Sequence, residues 1–271
     1  MRKLLIATTA LAALVGTPAF AADMAAPVYK APPPPAPVCV WCGWYIGLNA
    51  GWVGSSNNNI TNTGTDTGAG GFGSALSVFG AIPGSVSNNL SGFIGGGQVG
   101  YNWQTGNVVA GLEADFDGVS AKKTVNAVFP GSAFFLPITT TYTRQLDWLS
   151  TVRGRLGFTA SPDVLLYVTG GLAVGEVKTG SSASCPTFAP PCFTEPSTAN
   201  SGTSTRAGGT VGGGVEWMVA PHWSIKAEYL YASLGRTNST INYTYFGATS
   251  SLTSSVRNSY NIARAGVNWH F

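Results

Sequence analysis

Charged residues make up only 9% of this 271-residue sequence, and those inside its apolar stretches fall at two-residue spacing. Glu113 and Asp115 stand two apart, as do Arg153 and Arg155, and Lys226 and Glu228; Asp147, Glu216 and Arg264 hold equivalent places in other stretches. That spacing puts side chains on one face of a strand. Five carboxylates would then share one surface with four cations. A near-balance of buried opposite charges can form an ion-pair network, because a buried charge is costly unless it is paired. The same set could instead line a constricted ion path. Catalysis has less support, since His222 and His270 neighbour no Ser or Cys nucleophile in a readable motif. The run Gly95-Gly96-Gly97-Gln98-Val99-Gly100 fits the dinucleotide pattern GxGxxG, but it lies inside a strand pattern with no helix after it, so it reads as coincidence. A non-enzymatic chain without a cofactor is the expectation.

The elements that would carry these charges are strands. Along residues 108–117, Val108, Ala110, Leu112, Ala114 and Phe116 alternate with Val109, Gly111, Glu113, Asp115 and Asp117. Apolar residues on one face and polar or small ones on the other is the pattern of a strand between lipid and a barrel lumen. The same alternation recurs in seven more stretches. Trp44, Ile46, Leu48, Ala50 and Trp52 oppose Tyr45, Gly47, Asn49 and Gly51; Leu146, Trp148, Val152, Leu156 and Phe158 oppose Asp147, Arg153 and Arg155; Ala263, Ala265, Val267, Trp269 and Phe271 oppose Arg264, Asn268 and His270. Short turns fall at 104–107, 159–163 and 219–222. Long polar stretches fall at 53–91, 118–143, 177–205 and from the seventh strand to about residue 257. Short and long connections alternate strictly, as in barrels with short periplasmic turns and long outer loops. The fold class expected is therefore all-β: a transmembrane, antiparallel, up-and-down barrel of eight strands over residues 44–271, with both ends periplasmic. Ten strands is the alternative, because Ile241, Tyr243 and Tyr245 alternate and residues 75–79 are apolar; Pro83, Pro130 and Pro137 favour strand extensions above the membrane instead. An eight-stranded interior is just wide enough for side chains to fill, which favours a charge-paired plug over a pore.

Composition and leader agree with export. Arg2 and Lys3 precede an apolar run at 4–15, and Ala19-Phe20-Ala21 is a small-x-small cleavage pattern, so residues 1–21 read as a signal peptide. No later stretch reaches the length of a membrane helix. Residues 22–43, with Pro27, Pro32, Pro33, Pro34, Pro35 and Pro37, read as a periplasmic spacer of polyproline-II character. Without Arg2 and Lys3, 12 basic residues face 11 acidic ones. No basic stripe recommends a nucleic-acid partner. Four cysteines allow three pairings. Cys185 and Cys192 share the third long loop while Cys39 and Cys42 precede the first strand, so a membrane would separate the two sets. That leaves Cys185–Cys192, and Cys39–Cys42 either as a loop staple or as free thiols; it also excludes a single four-cysteine metal site.

Several stretches together resemble the RopB-type small outer-membrane proteins, surface antigens of rhizobia and related alphaproteobacteria. They are Gly43-Trp44-Tyr45-Ile46-Gly47, Gly100-Tyr101-Asn102-Trp103, Gly111-Leu112-Glu113-Ala114-Asp115, Val152-Arg153-Gly154-Arg155, Lys226-Ala227-Glu228-Tyr229 and Arg264-Ala265-Gly266-Val267-Asn268-Trp269. The resemblance covers nearly all of 44–271 outside the long loops. It implies residence in the bacterial outer membrane, among its lipid and lipopolysaccharide. It also implies that Phe271, with Trp269 and Val267 before it, acts as the signal read by the barrel-assembly machinery. The functions it implies are a structural surface protein first, with a small-solute porin and a loop-mediated receptor or adhesin as alternatives. The loop ligand is left open.

Overall fold

The computed structural model describes residues 39–56, 59–67, 84–129, 138–184, 197–245 and 248–271. The leader, the proline-rich residues up to 38, residues 75–79, and Cys185 and Cys192 lie outside the described residues. Among the described residues there are ten strand segments: β1 (Gly43–Ser55), β2 (Asn59–Thr67), β3 (Ser85–Ser87), β4 (Ser91–Thr105), β5 (Val108–Phe129), β6 (Ile138–Ser161), β7 (Val164–Ser184), β8 (Ser197–Ala220), β9 (Trp223–Tyr245) and β10 (Ala248–His270).

They form eight staves. The ring runs β1-β4-β5-β6-β7-β8-β9-β10, and β10 pairs back onto β1, with Tyr45 opposite His270 and Ser55 opposite Tyr260. Above that seam β2 takes over the same edge of β10, with Thr61 opposite Ser255 and Thr67 opposite Thr249, and β3 pairs with β2. Thus β2 prolongs the line of β1 and adds no stave to the ring. Over the stretch where all eight staves pair, closure leaves no open edge, the condition for a sheet to stand in lipid. The three tight turns lie at Gly106–Asn107, Pro162–Asp163 and Pro221–His222. Both ends of the ring lie with them, where the Phe271 amide donates to the Trp44 carbonyl at 3.0 Å.

The stretches expected as long loops at 118–143, 177–205 and up to 257 are largely strand. β5 and β6 pair out to Phe129 opposite Ile138, β7 and β8 to Ser184 opposite Ser197, and β9 and β10 to Tyr245 opposite Ala248. Hydropathy alternates only where one face meets lipid. The ladder continues past that point because backbone groups still need partners.

The outward face carries the membrane belt. Trp44, Trp103, Trp217 and Trp223 stand outward near the turns, and Trp52, Phe93 and Phe116 stand outward further up. From Trp44 to Trp52, eight residues at about 3.4 Å each give roughly 27 Å along the strand. At a tilt of about 35–45° that spans roughly 19–22 Å of height, most of the ~25 Å apolar band of such barrels. Ring pairs brace neighbouring strands at both levels, with Trp44 and Tyr101 centroids 5.2 Å apart, Trp52 and Phe93 5.0 Å apart, and Phe116 and Trp148 stacked at 5.7 Å.

At the upper level the registers shift, between Gly118 and Ala121 on β5, Leu146 and Trp148 on β6, and Arg257 and Ser259 on β10. On β9 the irregularity includes Gly235, whose φ of 77° suits glycine. These bulges change which residues face in. On β6, Thr151 and Leu149 are buried below the bulge, and Leu146 and Arg144 above it. Strict alternation put Leu146 toward lipid and Asp147 toward the lumen. The bulge corrects both: Leu146 is fully buried, and Asp147 is part-exposed with Lys178 Nζ 2.5 Å from its Oδ2.

Candidate functional site

The lumen is stacked in layers. At the turn end sits a lid made by residues the sequence assigned to the spacer. Trp41 is completely buried against Val109, Leu165 and Tyr167. Its amide donates to Gln104 Oε1 at 3.1 Å and its Nε1 to the Pro162 carbonyl at 3.1 Å. Cys39 and Cys42 form a disulfide across this tight loop.

Above the lid lies the charge network. Arg153 reaches Glu228 Oε1 at 2.7 Å and Asp115 Oδ2 at 2.9 Å, and also bonds Glu113. Arg264 reaches Asp115 at 2.8 Å, Asp117 at 2.7 Å and Glu228 at 2.9 Å. Lys226 Nζ donates to both Glu113 oxygens, at 3.0 and 2.9 Å. Arg155 pairs with Glu216 at 2.6 Å and stacks over Tyr167, 4.2 Å from its ring centroid. All these ionic side chains are at most 3% exposed. Neutral groups complete the web. Tyr45 donates to Glu113 at 2.7 Å and accepts from Arg155 at 2.9 Å, Thr151 donates to Asp115 at 2.8 Å, and Ser224 and Asn268 donate to Glu216 at 2.6 Å each.

Eight of the nine charges singled out in the sequence therefore meet in one place: Glu113, Asp115, Arg153, Arg155, Glu216, Lys226, Glu228 and Arg264. Asp147 does not join them. Asp117 does, and its two-residue spacing from Asp115 was the signal for it. Tyr45, Thr151, Ser224 and Asn268 carry no charge, so only the alternation of faces marks them.

The next layer up is apolar. Val53, Leu90, Ile94, Leu146, Leu149, Val177, Leu230, Leu234 and Ile262 are buried in one cluster inside the ring. Such an interior inverts the membrane-level pattern, with apolar residues in and Lys122, Arg236 and Arg257 exposed. Higher again, Arg144 donates to Asn258 Oδ1 at 2.7 Å, and Ile60, Val86, Tyr142 and Val256 form a small upper cluster.

Val267, Trp269 and Phe271 all project outward at the turn end of β10, with the last two rings 4.4 Å apart.

A closed antiparallel ring that is apolar and aromatic-girdled outside and ionic inside defines an integral β-barrel of the bacterial outer membrane. The chain belongs to the family described as outer membrane protein beta-barrel domain, which it matches over residues 7–271. It is 34% identical over 245 residues to the 31 kDa outer-membrane immunogenic protein of Brucella melitensis, covering 88% of this chain and 89% of that one. It is 30% identical over 204 residues to a 22 kDa outer membrane protein of Rhizobium leguminosarum, covering 73% of this chain and 66% of the relative. Among solved structures, Neisserial surface protein A aligns with a TM-score of 0.37 at 13% identity, over 84% of this chain and 97% of that one.

Proposed function

We propose that this chain is a sealed, non-catalytic surface barrel, whose lumen is a structural plug and whose strand extensions present the outward-facing surface. The observation that carries this reading is the ion pairing across the lumen. Arg153 on β6 bonds Glu228 on β9, and Arg264 on β10 bonds Asp115 and Asp117 on β5, so staves that never pair are tied together through the middle. The apolar layer above and the Trp41 lid below stand in series with that web, and eight staves leave little room besides. The Brucella relative is named for its immunogenicity, which supports a surface role for the extensions here. Exposed Lys122, Arg236 and Arg257 beyond the upper girdle suit the phosphates of lipopolysaccharide. Outward-facing Val267, Trp269 and Phe271 suit recognition by the barrel-assembly machinery.

Single-channel recording on refolded residues 22–271 in a planar bilayer tests the seal. The expected result is silence, or rare small flickers, from a sample shown to be folded. Stable, large, reproducible steps would overturn the plug and establish a small-solute porin.

A further inference from the structure

Arg236 on β9 and Arg257 on β10 stand directly opposite each other in the ladder, and both are exposed. Like charges in that register repel and weaken a sheet. Among the described residues neither guanidinium has an ion pair. Of the acidic side chains described, Glu113, Asp115, Asp117, Glu216 and Glu228 are buried in the lumen, Asp147 and Glu176 lie beside Lys178, and Asp163 is in a turn. Both strands are irregular at this point: β10 shifts register between Arg257 and Ser259, and Gly235 with its positive φ precedes Arg236. Two opposed cations without a counter-charge of their own suit an anion from outside, and guanidiniums match phosphate oxygens in geometry.

Below the pair, the same two strands carry a trough in the lipid-facing surface. Two adjoining depressions, of about 850 and 900 Å³, share Ala50, Val215, Ala227 and Ala265. These four form one row across β8, β9, β10 and β1, with Val215 opposite Ala227, Ala227 opposite Ala265 and Ala265 opposite Ala50. The three alanines keep the floor low. Larger outward side chains rise on either side, Trp52 and Phe93 on one and Leu166 and Trp217 on the other. Tyr229 and Tyr231 stand outward between the trough and the arginines. From Asn261, opposite Tyr231, to Arg257 is four residues, about 14 Å along the strand and about 10 Å in height at the tilt of such barrels. An arginine side chain reaching down from there meets the headgroup layer.

We infer that this face binds one phosphorylated acyl lipid of the outer leaflet, with its phosphate on Arg236 and Arg257 and an acyl chain in the alanine-floored trough. The inference rests on the surface reading above and narrows it from a diffuse anionic surround to one seated molecule. Charge and shape act together. The phosphate neutralises two cations that otherwise repel, as basic pockets at membrane interfaces do for anionic headgroups, and the chain fills a depression that loosely packed lipid would leave poorly contacted.

Native mass spectrometry of the refolded full mature chain, titrated in detergent with diphosphoryl lipid A, tests this. One lipid should be retained per barrel, and binding should saturate. Dephosphorylated lipid A, and the phosphorylated disaccharide without acyl chains, should each bind about tenfold more weakly or worse, because each lacks one half of what the site holds. Arg236→Gln and Arg257→Gln should each weaken lipid A about tenfold, the worth of a hydrogen bond to a charged group. Neither should lower the urea midpoint in lipid-free detergent, since each relieves the repulsion between opposed charges. Ala265→Phe should fill the trough and weaken binding to a similar degree, whereas Lys178→Gln, on another face, should not. Equal loss in Lys178→Gln, or undiminished binding in the arginine variants or in Ala265→Phe, overturns the site. A silent barrel without saturable lipid A removes this site and leaves the sealed barrel standing; a conducting barrel with the full binding pattern does the reverse.

Discussion

Arg153 Nη1 lies 2.7 Å from Glu228 Oε1, although the strands that carry them, β6 and β9, are separated in the ring by β7 and β8. The pair therefore spans the lumen, and the same guanidinium also holds Asp115 and Glu113. Arg153→Ala leaves three buried carboxylates short of a cation. Removing one partner of a buried ionic group costs about 3–5 kcal/mol, and that loss should appear in urea unfolding of the refolded barrel in lipid. Asp147→Asn is the contrast. Its partner Lys178 has a side chain 46% exposed, and solvent screens such pairs. The urea midpoint of that variant should match wild type. A midpoint equally insensitive to Arg153→Ala would remove the network from any account of stability.

Trp41 closes the turn end through contacts that have nothing to do with charge. Truncating a buried Trp to Ala costs about 3–5 kcal/mol, and here it also removes the donor to the Pro162 carbonyl. Trp41→Ala should lower the unfolding midpoint by an amount in that range. Conductance should stay silent, because the ionic web and the apolar layer both lie beyond the lid. Channel activity appearing in this variant alone would make the lid the seal and the web an ion path.

How much of this was legible in the sequence follows from where lipid acts. Within the membrane, alternation is enforced on both faces, so the facing of Trp44 and Tyr45, or of Leu112 and Glu113, could be read directly. Where strands leave the lipid, the outer face turns polar and the inner one apolar, and that reversal reads as loop. Val177, Leu234 and Val53 went unread as core for that reason. Asp147 and Leu146 lie on the faces opposite to those strict alternation gives because one extra residue in a bulge reverses every facing beyond it, and the β6 bulge contains no glycine to mark it. Arg144 fell in a stretch with no apparent period. Trp41 follows the proline run, and a Trp beside the first strand is a packing residue as readily as a spacer residue, so its type alone does not separate the two. The closure of β10 onto β1 followed from an even number of antiparallel staves. The identity of each cross-lumen partner did not, because partners on non-adjacent staves depend on how the ring curves.

The last prediction concerns the space the web needs. Gly100 faces the lumen from β4, and a Cβ placed there would run into the ring and hydroxyl of Tyr45. That hydroxyl donates to Glu113 at 2.7 Å and accepts from Arg155 at 2.9 Å. A methyl at position 100 must therefore push the ring off two buried ionic groups at once. Overpacking alone costs about 1–3 kcal/mol, and the two bonds lost with it add to that. Gly97, three residues earlier on the same strand, meets only the Gly47 carbonyl at 3.8 Å, an ordinary contact. Gly97→Ala should unfold at the wild-type urea concentration, whereas Gly100→Ala should unfold well below it and show a reduced fraction of heat-modifiable folded band on a gel. Equal behaviour of the two variants would mean that Tyr45 can move without cost, and that the web does not depend on its hydroxyl.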